Sequence, residues 1–312
     1  MQIVRYLALA GVFSVVCFSG CWDNKAGNGS GNTSAVNYSS SPAKPVNSKP
    51  EQNTAETNTN MSEKKTAAGF AANMPGGFQS PADDVGKKLL KEYGSMFVAK
   101  GGATAPKTVV FKDESEVSAF QSGLSKSTET IGGFAIELQS PAMNDLKKAI
   151  EDAKKENLTI SPRGVDSGRR TYNETVGLWA SRVEPALKHW VAKGKITQVD
   201  ADRIKSLSPF EQVSEVLKLE EKGIYFAKDL SKSIIYSVAP PGTSQHLAML
   251  ALDVKEFENP KVREILARHN WYQTVVSDLP HFTYLGVPET ELPNLGLKRI
   301  SDNGRTFWIP EL

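Results

Sequence analysis

The sequence predicts an α+β fold, a small and mostly antiparallel sheet flanked by helices, and three observations carry that reading. Helical and strand-like patterns alternate from about residue 84 onward. The strand-like runs are short, "FAIELQ" at 134–139 and "LALDV" at 250–254 among them. Near the C-terminus, "LKRISDNGRTFWI" sets Asn303-Gly304 between two apolar runs, the pairing that favours a two-residue hairpin turn. The chain has 312 residues, 39% hydrophobic and 23% charged, which suffices for one large domain or two small ones. Its 37 basic and 35 acidic residues leave a net charge of +2 without a basic block, so a nucleic-acid partner is not expected.

The N-terminus reads as a targeting segment rather than part of the fold. In "MQIVRYLALAGVFSVVCFSGC", Arg5 precedes an apolar run from Tyr6 to Phe18 that is short for a membrane span and suits a secretory signal. Its end, "FSGC", resembles a bacterial lipobox, which makes residues 1–20 a lipoprotein signal peptide and Cys21 the lipidated residue. Cys17 would leave with the signal, so the mature chain would hold neither a disulfide nor a cysteine ligand. Residues 21–83 are rich in Asn, Ser, Thr, Gly and Pro and are expected to be a disordered linker. A tether of ~60 residues reaches about 45 Å on average. A folded domain over 84–312 follows, and the expected location is the bacterial cell envelope, anchored to a membrane and facing the periplasm or the exterior.

Within 84–312, "TVVF" (108–111) and "FAIELQ" read as strands. The run "SPAMNDLKKAIEDAKKEN" predicts a helix capped by Ser140, with Pro141 at its first position and an apolar stripe of Met143, Leu146, Ala149, Ile150 and Ala153. A strand-like "LTISPRG" comes next, then a helix from about Tyr172 to Val191. Residues 197–222 predict one or two helices interrupted at Pro209. Beyond Ile224 the pattern turns to short strands, "SIIYSVA", "LALDV" and "YQTVVS", with the helix "PKVREILARHN" between the last two.

Four histidines are present. His189 and His269 lie in helical patterns that give them no chemical company. His246 and Asp253 stand in the apolar stretch "SQHLAMLALD", where an unpaired polar group would be costly. Ser244 and His246 share one parity and Ala251 and Asp253 the other, so a turn or bulge must intervene for both pairs to face one point. In "SDLPHF", Asp278 precedes His281 by three residues, and Pro280 makes the segment a rigid strand end. His246, Asp253 and His281 would leave a fourth position for water, the composition of a catalytic zinc site, with Asp278 as general base. A core with a few odd polar residues is the alternative that these stretches leave open.

Taken together, the segments resemble the VanY-like D-alanyl-D-alanine carboxypeptidases, zinc peptidases of the bacterial cell wall with the hedgehog/DD-peptidase fold. The family pattern S-x-H-x-x-G-x-A-x-D matches Ser244, His246, Ala251 and Asp253. The pattern E-x-W-H corresponds to "DLPH", and S-G-Y-R-S-x-x-x-Q-x-x-L-Y to "SGRRTYNETVGLW", with Ser167, Gly168, Arg170 and Leu178 in place. The resemblance implies zinc bound by His246, Asp253 and His281, catalysis by Asp278, an oxyanion partner in Arg170, and substrate contact at Arg170 and Ser244. It implies as substrate a peptidoglycan stem peptide ending in D-alanine. A non-catalytic peptidoglycan-binding lipoprotein on the same fold is the alternative. Four departures stand out: Met249 for Gly, Asp278 for Glu, Thr175 for Gln and Pro280 for Trp. Met249 falls where the parity must reverse, so a changed backbone is expected there.

Overall fold

The computed structural model describes residues 69–312. Its elements, in chain order, begin with helices α1 (Phe70–Asn73), α2 (Asp84–Tyr93) and α3 (Glu114–Ser122), then strands β1 (Lys126–Ile131) and β2 (Phe134–Gln139). Four helices follow: α4 (Ser140–Lys155), α5 (Tyr172–Ala192), α6 (Gln198–Ser206) and α7 (Pro209–Glu220). The C-terminal part carries β3 (Ala251–Asp253), α8 (Pro260–Arg268), β4 (Trp271–Tyr272), β5 (His281–Tyr284), β6 (Leu297–Asp302) and β7 (Arg305–Pro310). The architecture is α+β, and all strand pairing among the described residues is antiparallel apart from one bridge, Gln79 to Thr108.

Instead of one sheet the strands make three: the β1–β2 hairpin, the trio β3-β5-β4, and the β6–β7 hairpin. Both hairpins turn on residue pairs with positive φ, Gly132-Gly133 (59° and 87°) and Asn303-Gly304 (47° and 73°). The second was legible from its dipeptide; β1, "KSTETI", has no alternating apolar signal and pairs only because the turn folds it onto β2.

Several expectations need correction. Residues 69–83 belong to the folded unit rather than to a linker: Phe70 is buried in the core, and Gln79 bridges to Thr108. "TVVF" forms no strand beyond that bridge, although Val109 and Phe111 are buried. "SIIYSVA" forms a 3₁₀ turn, Ile234–Tyr236, because the buried Glu220 carboxylate, not a partner strand, takes the Ile234 amide at 2.7 Å. Ser140 is the first residue of α4, with Gln139 in the capping position, and its hydroxyl bonds Ser125 and Ser127 instead. Pro209 does not merely interrupt a helix; it begins α7 after a Ser208–Glu211 capping box.

A main core runs through most of the described residues, with a small second cluster of Phe111, Val117, Tyr172 and Leu247, and the largest fully buried side chains include Trp179, Trp271 and Phe282. What this framework does for function is fix β3 from both edges. On one side β5 pairs with it, Asp253 standing directly opposite His281. On the other, the "LTISPRG" segment bridges through Pro162 to Val254, and the Arg163 amide donates to the Asp253 carbonyl at 3.0 Å. The three-residue strand is therefore held along both edges at its functional end.

Candidate metal centre

His246, Asp253 and His281 come together although they lie on three separate pieces of chain. Their register pairs Asp253 with His281 across β3 and β5, which puts the two side chains on one face. His246 arrives from a 3₁₀ turn, Gln245–Ala248, packed just ahead of β3. The parity reversal that the sequence required falls at Met249, which takes a left-handed conformation, φ 56° and ψ 30°, with its side chain fully buried. Met249 thus holds a conformation natural to glycine, at a cost of about 1–2 kcal/mol. Nearby, Gly242 (φ 81°) seats the loop ahead of Ser244, where a Cβ would collide with the Phe111 carbonyl.

One ligand atom from each of the three side chains lies within 4.8 Å of the others. His246 Nε2 and His281 Nδ1 each stand 3.3 Å from Asp253 Oδ1. Each imidazole is oriented from behind by an acceptor: His246 Nδ1 donates to the Gly168 carbonyl at 2.6 Å, and His281 Nε2 meets Gln245 Oε1 at 2.9 Å. With the protons on those outer nitrogens, neutral rings turn lone pairs inward onto a carboxylate oxygen. Three electron-rich atoms facing one another call for a cation between them, and two imidazoles with one carboxylate match zinc's preference. At bonds of about 2.0–2.1 Å, tetrahedral ligands sit roughly 3.3–3.4 Å apart, close to the two spacings seen here. The residues therefore fit a divalent metal, and the three side chains could hold one.

Electrostatics agrees. Burial, then the Arg170 guanidinium, push the His246 imidazole down, which favours the neutral form that a metal needs. Arg170 Nη2 donates to Asp253 Oδ2 at 2.8 Å, so the two carboxylate oxygens are divided between the imidazoles and the guanidinium. Arg170 itself is set by Asp166, whose carbonyl takes Nε at 3.0 Å, and by the Thr171–Glu174 capping box that starts α5 one residue later. Gly168 earns its place sterically: a Cβ there would sit 2.9 Å from the Ile136 side chain and 3.1 Å from the Glu137 carbonyl.

These groups open onto a cleft of about 220 Å³ lined by Arg170, Ser244, His246, Asp278 and His281, with Asp253 behind them. Ser244 is buried at the cleft wall and Asp278 exposed on its rim. Arg170, Ser244, His246, Asp253, Asp278 and His281 thus line one cleft or form the cluster at its base, whereas His189 and His269 lie elsewhere and Cys21 falls outside the described residues. His269 pairs with Asp152 at 2.8 Å on the far end of α8. Sequence reasoning missed Gln245, Arg182 and Tyr236, which also border the cleft. Gln245 was detectable by the same argument that picked out His246, a polar residue in an apolar run. Arg182 follows Leu178 by one helical turn of α5, and both line the cleft.

No protein-family model matches this sequence, and no curated protein matches it. Among solved structures, a crystal structure of the vancomycin resistance D,D-pentapeptidase VanY, a mutant from the VanB-type resistance cassette in complex with Zn(II), superposes on 53% of this chain and 82% of its own, at 16% identity and a TM-score of 0.31. That overlap is too slight to establish a shared fold. The arrangement itself defines a class, an α+β protein whose cleft ends on a His-Asp-His cluster suited to a divalent metal.

Proposed function

We propose that this chain is a zinc-dependent peptide hydrolase, a D-alanyl-D-alanine carboxypeptidase that trims peptidoglycan stem peptides. The carrying observation is convergence. Arg170 reaches Asp253 across 83 residues of sequence, and Ser244, Asp278 and His281 from two further segments line the same cleft. These are the segments that carry the resemblance to the VanY-like enzymes, and a cluster fit for zinc lies where they meet.

Zinc bound by His246, Asp253 and His281 would polarise a peptide carbonyl and acidify a water toward a pKa of about 7. Asp278, on the rim and accessible, accepts the proton of the attacking water and returns one to the departing amine. Arg170 lies beside Asp253 at the cleft wall, where its fixed positive charge steadies the oxygen of the tetrahedral intermediate. Ser244 contributes a hydroxyl to substrate at the same wall. Asp278 is one methylene shorter than the glutamate of the family, and the rigid turn through Pro280 into β5 sets how far it reaches.

The test is hydrolysis of a stem pentapeptide followed by mass spectrometry. Loss of a single D-alanine is expected, abolished by chelation, restored by zinc, and lowered about 10²–10⁴-fold in Asp278→Ala. An intact peptide with zinc bound to the protein would overturn the hydrolase. The proposal extends to location: a lipid on Cys21, outside the described residues, would tie the domain to a membrane of the bacterial envelope. Fatty-acid labelling that persists in Cys21→Ser would refute it.

A further inference from the structure

We infer that Gln245 is a positioning residue for His281, fixing which ring nitrogen carries the proton and so which one is free to hold a metal. The inference rests on the metal centre proposed above.

Gln245 is 1% exposed, and its amide has one orientation available. At one end it lies 2.8 Å from the Tyr93 carbonyl, which only accepts, so the NH₂ group must face Tyr93. Oε1 then faces the other way, 2.9 Å from His281 Nε2. An amide oxygen accepts only, so His281 carries a proton on Nε2, which leaves Nδ1, 3.3 Å from Asp253 Oδ1, as the nitrogen that can be given over to a metal.

Two threonines lock the amide further. Gln245 Nε2 donates to Thr274 Oγ1 at 3.4 Å, Thr274 Oγ1 lies 2.6 Å from Thr283 Oγ1, and Thr283 Oγ1 donates to Gln245 Oε1. Since Oε1 must accept from Thr283, the Thr283 oxygen accepts from Thr274, and the Thr274 oxygen accepts from the amide. The ring of bonds closes with each hydroxyl donating once and accepting once. Flipping the amide would set its oxygen against the Tyr93 carbonyl and break the ring in a site from which water is excluded. His281 and Thr283 stand two apart in β5, so both look to the same glutamine. His246 has no such side-chain partner, because the Gly168 main chain does that work.

A merely structural glutamine would make zinc affinity follow fold stability, and two substitutions in the full chain separate the cases. Gln245→Met keeps the bulk and loses every hydrogen bond. Gln245→Glu keeps an acceptor for His281 Nε2–H but loses the donor to Tyr93. Zinc affinity is read by competition with a chromophoric chelator, stability by thermal unfolding of zinc-free protein, and ring protonation by long-range ¹H–¹⁵N NMR of zinc-free protein.

We expect zinc binding to weaken about 10–100-fold in Gln245→Met. Gln245→Glu should stay close to the parent in zinc affinity while melting lower. In the zinc-free parent, His281 should be protonated at Nε2. An Nε2 without a proton in the parent, parental zinc affinity in Gln245→Met, or affinities that rank with melting temperature would overturn the inference. Should Gln245→Met fail to fold, Gln245→Glu and the parent's NMR spectrum still decide it. A parent that binds no zinc would remove the metal centre and leave the ring-protonation result to judge Gln245 alone.

Discussion

The base of the cleft and its rim are built in opposite ways. At the base, His246, His281 and Gln245 are buried, and the outer nitrogen of each ring and both ends of the Gln245 amide have partners supplied by main chain or by another buried side chain, so that only the inward-facing atoms are left for a metal. On the rim, Asp278 and Ser277 are exposed, and Tyr236 is 41% exposed. Burial makes an unpaired polar group expensive, so the base must be complete before any ligand arrives; the rim faces water, which satisfies any group that waits there. Orientation of the candidate metal ligands therefore belongs to the fold, and the proton transfer proposed for Asp278 belongs to a side chain that meets water.

That contrast can be broken by comparing folding stabilities. The largest loss is expected for Asp253→Ala, which strands the Arg170 guanidinium, 14% exposed, beside two inward-facing imidazoles. Denaturant unfolding of metal-depleted protein should show a loss of about 3–5 kcal/mol, the usual result of removing one member of a buried ion pair. A loss near zero would mean that the base is not preassembled. Met249→Gly comes next. It relieves about 1–2 kcal/mol of backbone strain but removes a fully buried side chain worth about 2–5 kcal/mol, for a net loss of about 0–4 kcal/mol. A more stable protein would show that strain outweighs packing at the turn.

Rim substitutions should scarcely register. Asp278→Ala is expected within about 0.5 kcal/mol of the parent in the same unfolding experiment, despite the loss of hydrolysis proposed for it. A large destabilisation would place Asp278 in the structural base. The smallest effect lies away from the cleft. Lys155 and then His269 lower Asp152 from 3.8 to about 2. A carboxyl depressed in the folded state adds stability above its unfolded pKa and loses it as pH falls toward the folded value. Asp152→Asn should therefore flatten a shallow part of the acid profile between about pH 4 and pH 2 and leave stability near neutrality unaltered in its pH dependence. A profile identical to the parent's would discount the Asp152 pairing.

Much of the site was legible because its chemistry forces unusual residues into apolar sequence. His246 and Asp253 stood out as polar groups in a run that had to be buried, and their opposite parity demanded the reversal that Met249 supplies. Elements with strong local signals were legible too, as with α4, marked by Pro141 at its start and its apolar stripe, and the Asn303-Gly304 turn. The strand readings "TVVF" and "SIIYSVA" failed where apolar, β-branched side chains are buried without a partner strand. Whether such a run becomes a strand depends on who accepts its amides, and for Ile234 that is Glu220, fourteen residues away.

By itself, the sequence determined the α+β class, most of the helices, and the residue types that could hold and use a metal, since periodicity, caps and buried polarity are local properties of the chain. Only the tertiary structure decided that Asp253 faces His281 across β3 and β5, that Arg170 closes on Asp253, and that Gln245 stands between the Tyr93 carbonyl and His281 Nε2. Those are contacts between segments far apart in sequence. Their geometry is set by strand register and by the directions in which donors and acceptors must point once water is gone.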